Sequence, residues 1–392
     1  MTAPMTLDPA LRKFLPDLAR FETTRELEQS DSFRRLQPDI ERVLGQIWQE
    51  NLAPAPVPST GAIRVVAWNI ERGLHVDAIT SILREHPSLG GADILLLSEL
   101  DWGMARTGNR FIARDIAAAL GMNYAFAPCY LPLSKGAGVE KDVEGENSES
   151  LHGIAILSRY PLRNLQSVSL PNGKDKMKGA EKRLGSLRAL LADVEHPQGH
   201  FCAVSLHLDS HSSQPHRHLQ MCRVLDHLDT LSPNLPVIIG GDWNTSTHDA
   251  SRAEYAILGY CRRVLMGIRH VIANHYPYPE RWFERKLFGE LERRGYNYRE
   301  LNNPGECTLH YNMNDLATNL NVGEWLPQWC FWFITWALKR TGGTCSLKLD
   351  WFAGKGFKRT GEVKAVAGLM DGGQRVSDHD PIVVSIARVP AS

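Results

Sequence analysis

Acidic, amide and imidazole side chains recur at the carboxyl ends of the strands that this sequence predicts. Each one alone is typical of a turn or of a structural hydrogen bond. Six predicted strands carry such a group, and so many buried polar groups would be costly unless they converged on one site. Loops at the ends of a rigid sheet are where functional sites are built. The candidate residues are Asn69, Glu99, His207, Asp209, Asp242, Asn244, Asp350, Asp378 and His379.

The residue types indicate which chemistry such a site supports. Carboxylates with an amide oxygen and no thiolates are typical ligands of a hard cation, Mg²⁺ or Mn²⁺, which keeps waters and meets substrate phosphate. Histidines beside them can donate to phosphate oxygens or move a proton. Together with a carboxylate that orients water, they favour a phosphoester hydrolase. The His-rich segment His207–His218 leaves zinc as an alternative, although it lacks the helical HExxH arrangement.

Strand-like runs alternate with helical stretches from Ala62 onward. The β-rich runs are AIRVVAWN, ADILLLSEL, YAFAP, GIAILSR, LRALLADVE, HFCAVSLHL, PVIIGGDWN, SLKLDWFA and PIVVSIA. Helices are predicted at about His75–Glu85, Arg110–Leu120 and Gln214–Leu228. The pattern favours an α/β sandwich with buried sheets inside and helices outside. Strand alternation turns Trp243 away from the polar residues on either side of it, so we expect it to pack.

Two regions do not follow this alternation. Residues 1–60 are predicted to form a helical N-terminal extension with a Pro-rich linker, its helix beginning near Pro38 and running through Trp48. Residues 61–392 form the main domain. Within it, residues from about 251 to 345 are interpreted as a large insertion with its own helices, because a structureless loop of that length is improbable in a compact domain.

Composition and charge restrict the function only weakly. Lys and Arg together number 44, as do Asp and Glu, and this balance argues mildly against a dedicated non-specific nucleic-acid binder. The seven cysteines include no CxxC pair, which favours reduced thiols. The longest apolar run, Leu326–Leu338, is shorter than the roughly 20 residues of a spanning helix. We therefore expect a soluble, cytoplasmic protein without stable membrane insertion, and no protein partner can be inferred.

Seven motifs, taken in order, are similar to those of a known superfamily. WNIERG, LLLSELD, GIAILSRYPL, SLHLD, GGDWNTS, LDWF and SDHDP resemble the endonuclease/exonuclease/phosphatase superfamily over about residues 62–388, apart from the insertion. The resemblance implies a four-layered α/β/β/α sandwich with two mixed sheets. It also implies a hydrolase of phosphate esters that depends on Mg²⁺ or Mn²⁺. By the same resemblance, Asn69 and Glu99 hold the metal, with Glu99 as principal ligand and Asp378 close by.

The resemblance also implies a role for each of five catalytic residues. His207 hydrogen-bonds the scissile phosphate, and Asp242 orients or deprotonates the attacking water. Asn244 fixes that geometry and touches a phosphate oxygen. His379 contacts the phosphate while Asp350 holds its ring. Two alternatives for the general base stay open, namely Asp242 and the Asp350–His379 pair.

Basic residues near these motifs are further candidates for substrate binding. Arg106 and Arg110 follow Glu99 in a Gly-containing loop, and arginine suits bidentate contact with phosphate. Lys174–Arg183 holds five basic and two acidic residues and either recruits an anionic substrate or is a solvated loop.

Four tryptophans in the predicted insertion share one helical face. Trp325, Trp329, Trp332 and Trp336 follow helical spacing. Packing on the sandwich is the commoner explanation. A wall of the substrate pocket, a base-stacking platform and a membrane-surface contact are the alternatives.

The sequence leaves three hypotheses for the function. The first is a hydrolase of phosphate esters on a small molecule or lipid headgroup, which the neutral charge and the Trp-rich insertion favour. The second is an endonuclease or DNA-repair phosphodiesterase. The third is a catalytically inactive binding module, which the complete set of motif residues disfavours.

Overall fold

The computed structural model describes residues 12–54, 61–232, 235–245, 249, 253–312 and 342–389 of the 392-residue chain. The strands are β1 Trp48–Glu50, β2 Ile63–Arg72, β3 Ile94–Trp102, β4 Asn123–Pro132, β5 Leu151–Ser158, β6 Leu162–Ser169, β7 Arg183–Gly185, β8 Arg188–Val194, β9 Phe201–Leu206, β10 Val237–Asp242, β11 Leu309–Asn312, β12 Thr344–Leu347, β13 Asp350–Lys355, β14 Phe357–Ala365, β15 Met370–Asp371, β16 Gln374–Arg375 and β17 Ile382–Arg388. The helices are α1 Leu15–Leu18, α2 Thr24–Gln29, α3 Asp31–Gly45, α4 Val76–Glu85, α5 Ile112–Leu120, α6 Gln214–Leu228, α7 Ala253–Met266, α8 Ile268–Asn274, α9 Pro279–Trp282 and α10 Arg285–Arg293. Short 3-10 helices cover Ala105–Thr107, Gly138–Asp142 and Lys176–Lys178.

The main strands form two mixed sheets. The larger has the order β1-β4-β5-β3-β2-β17-β14, with β7 paired to β4. Its β2 and β3 are parallel, whereas β17 runs antiparallel to β2. The smaller sheet has the order β13-β10-β9-β8-β6, with β9 and β10 parallel and β13 antiparallel to β10. The predicted α/β fold with two mixed sheets is thus confirmed.

Alternation along β2 shows why the larger sheet is buried on both faces. Val65 and Ala67 belong to the core shared with the smaller sheet. Val66 and Trp68 belong to a second core, which includes residues of the helices α4 and α5. A strand with apolar side chains on both faces is stable only between two layers, so the continuous apolar run in the sequence has a direct structural cause.

The N-terminal extension packs on the main domain, but its helix differs from the predicted one. Helix α3 begins at Asp31, where the Ser30 side chain accepts the backbone N–H of Phe33, and Pro38 lies inside it. The helix ends at Gly45, and Trp48 begins strand β1, which pairs with β4. The prediction of a start at Pro38 was wrong because the Ser30 cap precedes it by two turns.

The predicted insertion contains helices, and its last described helix joins the main core. Leu287, Phe288 and Leu291 of α10 are buried in the core of the two sheets. The Phe288 ring lies 6.0 Å from Trp243 and 4.6 Å from Trp351, so Trp243 packs as predicted. The tryptophan face of Trp325–Trp336 lies outside the described residues. In the described ranges, no helix has both the length and the apolar character needed to cross a membrane.

Candidate active site

Sheet topology brings the predicted polar residues to one edge. Asn69 and Glu99 lie near the ends of the parallel strands β2 and β3, and His207 and Asp242 end the parallel strands β9 and β10. Asp350 was predicted at the end of a strand, but it begins β13, where it lies opposite Asp242. Because β13 is antiparallel to β10, the start of one strand lies beside the end of the other.

Asp378 and His379 likewise precede their strand, β17, which is antiparallel to β2. The segment before β17 is tied to β2 by two hydrogen bonds. Ser377 Oγ donates to the Asn69 carbonyl oxygen at 2.7 Å, and Trp68 Nε1 donates to the His379 carbonyl oxygen at 2.9 Å. These bonds fix His379 at the same edge as the strand ends of the smaller sheet.

One carboxylate oxygen, Asp242 Oδ2, lies at the centre of the site. His207 Nε2 is 3.5 Å and His379 Nε2 is 3.7 Å from it. Amide groups of Asn69 and Asn244 donate to it at 3.1 and 3.2 Å. Burial raises the pKa of Asp242, and the Asp350 charge adds to this, while the two histidines oppose it. The carboxylate is therefore held by four nitrogen groups from both sheets.

The GGDWN turn explains how Asp242 and Asn244 face the same space. Gly241 has φ of +143°, and a Cβ there would collide with the Leu206 carbonyl oxygen, so only glycine lets β10 approach β9 this closely. Asn244 adopts φ of +51°, and its backbone N–H and side-chain amide both donate to Asp242. The predicted positioning role of Asn244 agrees with these bonds, whereas its contact with phosphate stays a prediction.

Asp350 and His379 form a buried pair beside Asp242. Asp350 Oδ2 lies 2.8 Å from His379 Nδ1, and its other oxygen has no hydrogen-bond partner among the described residues. Burial alone lowers the pKa of His379, but the charges of Asp350, Asp242 and Asp378 outweigh burial and hold it well above its ordinary range. A carboxylate accepts only, so Asp350 fixes the proton on Nδ1 and turns Nε2 toward Asp242.

A second acidic group includes a residue that was not predicted. Glu71 accepts the backbone N–H of Asp378 at 3.0 Å. Burial, the Asp378 charge and the Glu99 charge together raise the pKa of Glu71 to about 8. Burial also acts to raise the pKa of Glu99, but interactions with His207, Arg72 and other neighbours overcome this and lower it to about 2. Glu71 was missed although it follows Asn69 by only two residues, because WNIERG was interpreted through Asn69 alone.

The acidic group of Glu71, Glu99 and Asp378 fits a hard divalent cation. Three carboxylates with mutual repulsion and no thiolate are the donor set that Mg²⁺ or Mn²⁺ would neutralise. Asn69, however, uses Oδ1 to accept from the Glu71 backbone and Nδ2 to donate to Glu99. As placed, Asn69 orients Glu99; direct ligation of the metal would require its amide oxygen to turn. Among the described residues, Asp242, Asp350 and His379 are the three acidic or imidazole side chains whose ligand atoms all lie within 4.8 Å of one another, but their contacts are those of a hydrogen-bonded pair beside a third group.

Arg106 lies in a buried ionic network. Its side chain is 1% exposed, and its guanidinium donates to Asp101 at 2.7 and 3.0 Å and contacts Glu140 and Glu181. Asp101 in turn accepts from His152 Nδ1 at 2.8 Å. These contacts favour a structural role for Arg106 over the predicted binding of substrate, because four of its five N–H donors already meet carboxylates.

Arg110 and most of the basic segment are also engaged with the protein. Arg110 pairs with Asp77 and Asp115. Lys182 donates to the Ala19 and Phe21 carbonyl oxygens of the N-terminal extension. Lys176 is buried against Asp209. The contacts of Lys174–Arg183 therefore favour a structural loop, and recruitment of an anionic substrate by it stays a prediction.

With the fold and site described, the chain can be compared with known proteins. The model of the endonuclease/exonuclease/phosphatase family matches residues 66–379. The chain belongs to this family. No curated protein matches it at a significant level. The family match includes every catalytic and metal-site residue predicted above.

Several solved structures are similar to this chain at low sequence identity. A member of the family from Beutenbergia cavernae is 16% identical, with a TM-score of 0.50, and the match covers 84% of this chain and 72% of that one. The catalytic domain of human nocturnin with bound sulfate is 17% identical, with a TM-score of 0.44, over 88% and 97% of the two chains. A 3'-5' exonuclease from Neisseria meningitidis is 15% identical, with a TM-score of 0.46, over 82% and 98%.

Proposed function

We propose that the protein is a divalent-metal-dependent phosphoester hydrolase that directs a water molecule in line at phosphorus. The observation that supports this best is the environment of Asp242 Oδ2, with two imidazoles within 3.7 Å and two amides within 3.2 Å. Such a carboxylate can accept a hydrogen bond from water while neighbouring donors hold a phosphate above it.

One set of residues would act on the attacking water and another on the phosphate. Asp242 orients the water and takes up its proton, or passes that role to the Asp350–His379 pair. Nε2 of His379 and of His207 donate to the oxygens of the phosphate, whose negative charge grows during attack. Asn244 holds the Asp242 carboxylate at a fixed angle through its two hydrogen bonds.

Glu71, Glu99 and Asp378 are the residues that would hold Mg²⁺ or Mn²⁺. The bound ion would supply charge relief at the leaving oxygen and at the phosphate. Asn69 keeps Glu99 and Asp242 apart and aligned, because one amide nitrogen donates to both.

Hydrolysis of bis-(p-nitrophenyl) phosphate with Mg²⁺, with Mn²⁺ and with EDTA tests this proposal. Asp242→Asn keeps the shape of the side chain and removes its charge. The matched control is Asp193→Asn, at the opposite end of the smaller sheet, where the carboxylate accepts a hydrogen bond from Asn164 and from no other described side chain. We expect metal-dependent turnover that Asp242→Asn reduces about a thousandfold and Asp193→Asn leaves unchanged. Equal turnover of both variants would refute the assignment.

The natural substrate is proposed to be a phosphate ester on a small molecule or lipid headgroup, supported by the balanced charge of the chain. A panel of inositol phosphates, sphingomyelin, nucleotides, abasic DNA and single-stranded DNA distinguishes this from a nuclease. A preference for DNA whose binding weakens steeply with salt would favour the nuclease instead.

A further inference from the structure

Strand β11, part of the predicted insertion, is fastened directly to the catalytic pair. Leu309 forms an isolated antiparallel bridge with His379. The Thr308 carbonyl oxygen accepts the Asp380 backbone N–H at 2.7 Å, and Thr308 Oγ1 accepts the backbone N–H of Asp350 at 3.2 Å. The start of β11 is therefore held by both segments that carry the Asp350–His379 pair.

The side chains of β11 alternate between two environments. His310 contacts Ser346 at 2.7 Å and Asp380 at 3.0 Å. Leu309 and Tyr311 point to the other face, since adjacent residues of a strand face opposite sides. There Leu309 is buried in a small apolar cluster, and Tyr311 packs against the same cluster. Tyr311 thus lies two residues along the strand from the bridge to His379.

Tyr311 is half-buried, and its hydroxyl forms no hydrogen bond among the described residues. Burial raises the pKa of Tyr311, and the negative charges of Asp378 and Asp242 raise it further. The hydroxyl therefore keeps its proton, and the charges of both carboxylates act on it. A neutral donor in such a position suits an anionic ligand that these carboxylates alone would repel.

We propose that the Tyr311 hydroxyl donates a hydrogen bond to the substrate phosphoryl group bound between Asp242 and Asp378, so that the insertion contributes a catalytic residue. This inference rests on the proposed function. A phosphate oxygen carries negative charge, and a hydrogen bond to a charged group is stronger than one between neutral groups. The contact also explains why β11 is bridged to His379: the bridge sets the distance between the hydroxyl and the reacting group.

Tyr311→Phe in the full-length protein tests this proposal, because it removes only the hydroxyl. Tyr296→Phe is the matched control. Tyr296 is also a buried tyrosine, but it lies near Lys355 at the far end of β13 from Asp350. Tyr311→Leu, a third variant, removes the ring as well. The readouts are kcat/KM for bis-(p-nitrophenyl) phosphate with Mn²⁺ and the affinity for inorganic phosphate, measured by calorimetry with Mg²⁺.

We expect Tyr311→Phe to lower kcat/KM by about tenfold to a hundredfold and to weaken phosphate binding, with the melting temperature and the control variant unchanged. Wild-type values for Tyr311→Phe, with loss only in Tyr311→Leu, would show that the ring merely packs and would overturn the proposal. If the wild type hydrolyses no ester, the proposed function fails, and the phosphate titration alone then decides the role of Tyr311.

Discussion

In two aspartate–histidine pairs of this molecule, Asp350–His379 and Asp101–His152, a carboxylate oxygen lies 2.8 Å from Nδ1. The histidine in both is oriented by the same contact. They differ in what else the aspartate meets. Both oxygens of Asp101 accept from Arg106, whereas one oxygen of Asp350 has no partner among the described residues.

The two pairs therefore differ in which group carries the positive charge that balances the aspartate. Arg106 supplies the counter-charge of Asp101 and ties it to Glu140 and Glu181. At the other pair, His379 itself supplies the counter-charge, and its Nε2 points at Asp242. An aspartate can orient and charge-balance a catalytic histidine only when no permanent cation already neutralises that aspartate. We therefore expect the Asp350 pair to serve the reaction and the Asp101 pair to serve the fold.

The largest expected effect is on turnover, which should depend far more on the Asp350 pair than on the Asp101 pair. Asp350→Asn leaves the shape of the side chain but lets His379 adopt the wrong tautomer, so turnover should fall by about a thousandfold or more. Asp101→Asn should reduce turnover less than about tenfold, since Arg106 and not His152 is its main partner. Steady-state kinetics on bis-(p-nitrophenyl) phosphate measures both. Similar losses in the two variants would remove the distinction between the pairs.

The free energy of unfolding should depend more on the Asp101 pair than on the Asp350 pair. Arg106→Met leaves the buried carboxylates of Asp101, Glu140 and Glu181 without a counter-charge, which should lower the free energy of unfolding by about 3–5 kcal/mol. Arg110→Met is the matched control, because its side chain is 36% exposed and its ion pairs should contribute at most about 1 kcal/mol. Urea unfolding of both variants checks this. A raised KM with unchanged stability in Arg106→Met would instead support the substrate-binding role predicted from the sequence.

A smaller effect concerns the acidic group of Glu71, Glu99 and Asp378. A divalent cation bound by Glu71, Glu99 and Asp378 relieves their repulsion, so it should stabilise the native state. At a concentration ten times the dissociation constant, the gain is about 1.4 kcal/mol, or roughly 2 °C in melting temperature for a chain of this size. Glu99→Gln should abolish the gain from Mg²⁺ or Mn²⁺. An equal shift in Glu99→Gln would place the metal elsewhere.

The sequence was sufficient to predict where polar groups meet, because strand runs and the order of motifs indicate which residues end each strand. It could not predict the direction of β13 and β17, so Asp350 and His379 were expected at strand ends, whereas Asp350 begins β13 and His379 precedes β17. Whether a strand runs parallel or antiparallel depends on its partner from a distant segment of the chain, which the pattern within the strand does not indicate. The backbone conformation of Glu99 also could not be predicted from the sequence. It adopts φ of +57° at a register shift in β3, although the sequence ILLLSEL reads as an unbroken strand.

The sequence also could not predict which charged side chains are buried. Arg106 and Arg110 lie four residues apart in a loop and have the same chemistry, yet one is enclosed by three carboxylates and the other is partly solvated. The partners of Arg106 come from positions up to 75 residues away along the chain. Only the fold brings them together, so proximity to Glu99 in sequence was a poor guide to substrate contact.

The pH dependence of stability gives the finest test of where the positive charge lies. Since the folded-state pKa of His379 is raised above the ordinary value of 6.5, the native state binds a proton that the unfolded chain releases near neutrality. The stabilisation by this proton is complete below pH 6.5 and is lost as pH rises through the folded-state pKa. In EDTA, the difference in free energy of unfolding between the wild type and His379→Gln should therefore narrow above pH 6.5, by at most about 1.4 kcal/mol per pH unit. A difference that stays constant from pH 6 to pH 9.5 would mean that His379 is not the counter-charge of Asp350, and the contrast between the two pairs would then rest on Arg106 alone.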